Sequence, residues 1–295
     1  MTNASQFSWL RAMPIVFVGI WSTGFIVARY GMPNSPPFAF LWLRFAFSIL
    51  CFLPWIWLSK VQWPSDKRQW LHLSITGVLM QAGYLGGVWS AVKGGMGSGL
   101  SALIVGLQPV LTAIWLSSQG GHVTGRQWQG LLLGFAGLSM VVSHKLEGGI
   151  EVTPFSLSMA LMALASITVG TLYQKQFVKP CDVRTASSVQ LMAAWVVTLP
   201  LAMIETEAIQ WNSQMLYAMA WSVLCLTLGG SSLFYLLIQR GAAASVTSLM
   251  YLVPPTTAVI ALVLFGETMT WTTLLGILVT ALGVSLVVRQ PKIDG

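Results

Sequence analysis

Apolar residues run along this chain in long blocks, and the blocks are separated by short clusters of charge, Gly, Pro, Asn and Ser. Cut at those clusters, the sequence falls into ten apolar spans at about 12–28, 36–58, 70–92, 100–117, 128–144, 155–173, 187–204, 215–238, 245–265 and 272–288. A bilayer core about 30 Å thick takes roughly 20 apolar residues at about 1.5 Å of rise each, which is the length of these blocks. Inside hydrocarbon every backbone polar group needs a partner within its own segment, so stretches of this length are expected to be helices. The gaps around 59–69, 145–154, 174–186 and 205–214 are short loops that leave no soluble domain. The segment before Arg11 is too polar for a signal peptide, so the first span is expected to be an uncleaved helix.

Composition removes the competing classes. Of 295 residues 55% are hydrophobic and 8% charged, with mean hydropathy +0.74. Soluble domains carry roughly 25% charge, so a soluble globular protein is excluded, and the wealth of aromatic and aliphatic residues excludes disorder. The net charge of +7 comes from 15 scattered basic residues, which form no phosphate-tracking stripe and imply no nucleic-acid partner. Cys51, Cys181 and Cys225 have neither CxxC spacing nor a histidine cluster nearby, so no disulfide framework, metal site or cofactor is expected. Phosphate-cradling loops and a nucleophile elbow are missing as well.

The basic residues divide unequally between the two sides. Arg11, Lys60, Lys67, Arg68, Arg126, Lys175, Lys179, Arg184, Arg240, Arg289 and Lys292 fall on the side shared by both termini, against Arg29, Lys93 and Lys145 opposite. Cytoplasmic loops hold the excess of Lys and Arg, so both termini are expected in the cytoplasm. The remaining basic residue, Arg44, lies inside a span.

The sequence also repeats. With a constant shift of 146, Gly24 falls on Gly170, Arg29 on Lys175, Pro54 on Pro200, Gly83 on Gly229, Gly95 on Gly241 and Pro109 on Pro255. Gly120, Thr124, Gly130, Gly137 and Ser139 then meet Gly266, Thr270, Gly276, Gly283 and Ser285. The matches concentrate on Gly and Pro, where backbone geometry is dictated. Two units follow, 1–148 and 149–295, each with five spans. An odd number of spans turns the second unit upside down, and the basic 59–69 loop accordingly has the 205–214 loop, with Glu205 and Glu207, as its counterpart. The expected architecture is therefore an all-α integral membrane protein whose ten helices form two inverted five-helix repeats around a central cavity. Such repeats characterise secondary transporters, with the substrate site near the midplane; a duplicated membrane protein that transports nothing is the plainer alternative.

Trp21-Ser22-Thr23-Gly24-Phe25, then Arg29-Tyr30-Gly31, Leu43-Arg44-Phe45, and Gly266-Glu267 followed by Thr270, Gly276 and Gly283 resemble the EamA-type branch of the drug/metabolite transporter superfamily. The resemblance spans the whole chain. It implies a bacterial inner-membrane carrier, most often an exporter of amino acids or related metabolites. The first unit departs from the pattern, with Gly120-Gly121 where the Gly-Glu pair would repeat.

Arg44 is the formal charge well inside a span, at a cost of about 2.5–3.5 kcal/mol on insertion scales. It sits roughly 12 Å below the outer edge, so either it snorkels or bonds a neighbouring helix, or it faces the cavity and offers a bidentate contact to a substrate carboxylate. Its repeat partner is the neutral Gln190. No Asp or Glu lies in any span, which removes the carboxylate that proton-exchanging pumps for lipophilic cations use. Gln81, Tyr84 and Trp89 share one helical face, and Tyr235 is the repeat equivalent of Trp89. Gln108 and Tyr251 lie beside the Pro109/Pro255 breaks, and Trp21 and Tyr173 flank the matched first spans. These nine residues are the candidate substrate-binding set; packing, lipid contact or an interfacial aromatic belt is the alternative for each aromatic. Gly130, Gly134 and Gly137 in one span, and Gly276, Thr280 and Gly283 in another, form faces for close helix packing. His72, His122 and His144 lie at span ends or in a loop and support no proton relay.

The expectation is a non-enzymatic carrier that exports amino acids or related zwitterionic or neutral solutes by alternating access, as a monomer or weak homodimer with the bilayer and a small solute as its partners. A carrier of neutral drugs, nucleotide sugars or lipid-linked phosphates is the rival within transport, although phosphate substrates usually want several cavity cations. A membrane scaffold is the rival outside it.

Overall fold

A computed structural model describes residues 3–118, 124–147, 152–239, 252–266 and 269–288. Tyr251, His122, Glu267 and the Gly120-Gly121 pair lie outside the described residues. Among the described residues ten helical rods follow in the expected order, and there is no strand. The rods are α1 (Asn3–Gly31), α2 (Pro37–Leu58), a continuous rod of α3 (Lys67–Gly77), a π-helical segment (Val78–Gly83) and α4 (Tyr84–Lys93), then the broken pair α5 (Ser98–Val105) and α6 (Gln108–Ser118), and α7 (Gly125–Glu147). The second unit has α8 (Pro154–Phe177), α9 (Val183–Ile204), a rod of α10 (Ser213–Trp221), a π-helical segment (Ser222–Ser231) and α11 (Ser232–Gln239), then α12 (Val253–Phe265) and α13 (Trp271–Val288). By length and composition, the rods over Pro37–Leu58, Pro154–Phe177, Val183–Ile204 and Ser213–Leu237 are long and apolar enough to cross a membrane; shorter apolar stretches lie in four of the other rods, at 98–112, 128–141, 253–265 and 271–283.

Most rods outrun the apolar blocks because capping side chains, not the last apolar residue, decide where a helix begins. Asp66 accepts the amide of Arg68, Asp182 that of Arg184 and Asn212 that of Met215, each satisfying an orphan donor of a first turn. Thr153 and Ser156 close a reciprocal capping box on α8. The polar head before Arg11 is likewise helical from Asn3 onward. The break near Pro109 falls at Gly106–Leu107, just ahead of the proline, which takes the first turn of α6, where a missing N–H costs nothing. Leu252 caps α12 at the position equivalent to Gly106, with Pro254 in the first turn. The two π-helical segments also correspond under the shift of 146, so the wide turn is part of the repeated unit.

The same shift carries Pro37–Leu58 onto Val183–Ile204, the bounds of α9. These matched helices pack together and run antiparallel: Glu205, just past the end of α9, meets the start of α2, and Arg184 at the start of α9 lies 5.4 Å over the ring of Trp55 near the end of α2. An antiparallel pair of equivalent helices is what an inverted repeat requires. α7 packs along its own counterpart α13, on the small-residue faces: a Cβ on Gly137 would stand 2.6 Å from the carbonyl of Gly276, and one on Gly283 2.6 Å from that of Gly130.

Cross-unit hydrogen bonds tie both ends of the bundle. At the end holding Lys93, Pro36 offers no side-chain cap to α2, and the exposed amides of Phe38 and Ala39 donate to the Glu205 carboxylate at 3.0 and 2.8 Å. Asn212 Nδ2 donates to Asn34 Oδ1 at 2.7 Å, and Lys93 pairs with Glu207 at 2.7 Å while donating to the Met32 carbonyl. At the opposite end the Gln69 side chain bonds both the carbonyl and the amide of Lys179, at 2.7 and 3.1 Å.

Loss of the cross-unit cap in Glu205→Ala is expected to cost about 1 kcal/mol, a fall of about 3 °C in a detergent melt. Glu207→Ala, which breaks a partly exposed ion pair, is expected to cost less. Gly283→Leu forces a side chain into the α7–α13 seam and is expected to lower melting by the equivalent of about 1–3 kcal/mol.

Candidate functional site

The face of α2 that carries Phe40, Arg44 and Ser48 recurs every four residues and is buried throughout. Arg44 is 2% exposed, held between the two units. Its Nε donates to Thr227 Oγ1 at 3.1 Å, and Thr227, in the second π-helical segment, in turn donates to the Ser222 carbonyl five residues back. The guanidinium lies 5.8 Å from the Trp89 ring, whose other neighbour, Phe40, stacks at 4.4 Å. Nη1 of Arg44 is buried and has no hydrogen-bond partner among the described residues. A buried, charged donor without an acceptor is costly, so this edge of the guanidinium is the reactive feature of the site.

Arg44 opens onto a cavity of about 50 Å³ between the units, enough for a handful of waters. One wall is Trp21 of α1 stacked on Tyr84 of α4, their ring planes within 4° at 6.1 Å. Gln81, within the first π-helical turn, and Trp89 complete the first unit's contribution. Across the space stand Phe234 and Tyr235 from α11, with Gln174 of α8 and Gln190 of α9, whose side-chain amides meet at 3.4 Å. Tyr235 also reaches Cys181, at 3.2 Å. No group of His, Cys, Asp and Glu among the described residues could hold a metal ion.

Of the residues singled out in the sequence, Trp21, Arg44, Gln81, Tyr84, Trp89 and Tyr235 line this one cavity. Gln108 and Tyr173 do not. Gln108 donates to Thr171 at 3.0 Å, tying α6 to α8, and Tyr173 bonds His72 at 2.8 Å and packs on Phe177. Neighbours on a helix point about 100° apart, so the residue after Tyr173, Gln174, takes the cavity position instead. Gln190 and Thr227 were discoverable from the repeat alone, since they are the equivalents of Arg44 and Gln81.

The EamA-like transporter family model matches residues 12–143 and again 154–289. The chain is 25% identical over 252 residues to an uncharacterized inner membrane transporter of Escherichia coli, YedA, covering 85% of this chain and 81% of that one. It is 26% identical over 290 residues to the uncharacterized transporter YvbV of Bacillus subtilis, covering 95% and 92%. A protein of Salmonella typhimurium named as a probable amino-acid metabolite efflux pump is 23% identical over 276 residues, covering 90% and 89%. A crystal structure at 17% identity superposes with a TM-score of 0.69 over 93% of this chain and 95% of the other, a likeness of fold. With its two repeated units and its all-helical fold, the chain belongs to the EamA-like transporter family and is a membrane transporter of that type.

Proposed function

We propose that the chain is a secondary transporter of the bacterial inner membrane, with both termini in the cytoplasm, that exports small metabolites by alternating access. Its two units, 1–148 and 149–295, form one membrane domain with no catalytic role, working as a monomer or weak homodimer. The solutes are amino acids or related molecules carrying a carboxylate and an apolar part. The observation that carries this reading is Arg44: a guanidinium buried between the units, anchored through Nε, with Nη1 unpartnered at the cavity. A solute carboxylate supplies the missing acceptor, and Gln81, Trp21, Tyr84, Trp89 and Tyr235 surround that point. The efflux-pump relative supports the amino-acid class.

The ties at the two ends suit alternation. Opening toward the Lys93 end releases Glu205 from α2 while the Gln69–Lys179 pair holds, and opening the other way releases Gln69 while Glu205 holds. With no embedded acid, facilitated diffusion serves as readily as proton coupling.

Counter-flow of labelled amino acids into proteoliposomes, with and without a pH gradient, tests the reading. Arg44→Ala is expected to abolish transport, a loss of about 10- to 150-fold for a charge-assisted contact, while Arg44→Lys retains a little activity. Absence of flux for every amino acid and small metabolite tried, or full flux in Arg44→Ala, contradicts it.

A further inference from the structure

The charge inventory of the cavity separates two kinds of carboxylate-bearing solute. Arg44 supplies a buried cation with an open donor. All eight acidic residues of the chain, Asp66, Glu147, Glu151, Asp182, Glu205, Glu207, Glu267 and Asp294, fall outside the apolar spans, and among the described residues no carboxylate lines the cavity. Among the described residues no anion therefore stands beside Arg44. The other polar groups lining the cavity, Gln81, Tyr84, Gln190, Ser231 and Tyr235, are neutral, and the side-chain oxygen of Gln174 already accepts from Gln190.

A carboxylate entering this space neutralises Arg44, and the charges close. An α-ammonium on the same solute adds a second desolvated cation a few ångströms from the guanidinium, without a carboxylate to meet it. The stacked Trp21–Tyr84 wall and the adjoining Phe234 accept an apolar body in either case.

We propose that the site selects organic monoanions, a carboxylate on an apolar or aromatic body, over the zwitterionic amino acids of the same shape. The proposal rests on Arg44 as the carboxylate contact and narrows the solute class of that reading. It also sets the driving force. Each exported monoanion moves one negative charge outward, so an inside-negative potential favours its outward distribution at equilibrium by about fifty-fold per 100 mV without a coupling ion, whereas a zwitterion moves no net charge.

The test compares matched pairs that differ only in the amino group: propionate with L-alanine, 4-methylpentanoate with L-leucine, and 3-phenylpropionate with L-phenylalanine. Binding to the purified protein in nanodiscs is measured at pH 7 by calorimetry, and export of the better ligand from proteoliposomes is followed under an imposed potential. The expected result is at least ten-fold tighter binding of the acid lacking the amine in one pair or more, lost in Arg44→Gln, and efflux accelerated by a potential negative on the side it leaves. Equal or tighter binding of the amino acids, or potential-independent flux of the bound acid, overturns the proposal and leaves the carboxylate reading intact. Failure of all six compounds to bind the wild-type protein removes the carboxylate reading and this proposal together.

Discussion

A guanidinium held inside a membrane protein with one edge unpartnered is the feature to which the rest of this structure answers. Arg44 is carried on α2 of the first unit, anchored by Thr227 of the second and backed by the Trp89–Phe40 stack. Taking such a group out of water is costly, and the single hydroxyl contact does not satisfy it. The cavity forms around that unmet demand, and its walls come from both units. Sliding or rocking of one unit against the other therefore alters the surroundings of Arg44 directly.

The inverted duplication supplies the means. Equivalent helices pair across the interface, α2 with α9 and α7 with α13. The chemistry of the two ends nevertheless differs. α9 is capped locally by Asp182, whereas α2, preceded by Pro36, borrows the carboxylate of Glu205 from the other unit. One end is thus closed by a short ion pair and a borrowed carboxylate, the other by the neutral Gln69 amide with a long, exposed Lys179–Asp66 pair at 3.9 Å. The symmetry of the backbone is broken by a few side chains, as it is at Arg44 and Gln190.

Much of this was legible in the sequence because bilayer thickness and repeat geometry leave few choices. The ten rods, the 146-residue correspondence and the glycine seam all follow from apolar length and small-residue spacing. Six cavity residues could be named because an Arg, a Gln or a ring in an apolar span has few inexpensive places to go. Tyr173 and Gln174 mark where that logic stops: adjacent polar residues near a helix end point in different directions, and nothing in the local pattern says which faces inward. Gln108 similarly finds its partner on α8, a contact set by packing between distant segments. The π-helical turns, within which Gln81 and Thr227 lie, carry no pattern that apolar periodicity detects.

The central claim is that the open edge of Arg44 receives a solute carboxylate. The most direct measurement is the melting temperature of the purified protein against carboxylic acids and their uncharged amides, identical in shape and differing in the group that meets the guanidinium. A concentration-dependent rise is expected with at least one acid, none with its amide, and no rise with either in Arg44→Gln. Equal stabilisation by acid and amide, or stabilisation that survives Arg44→Gln, would contradict it.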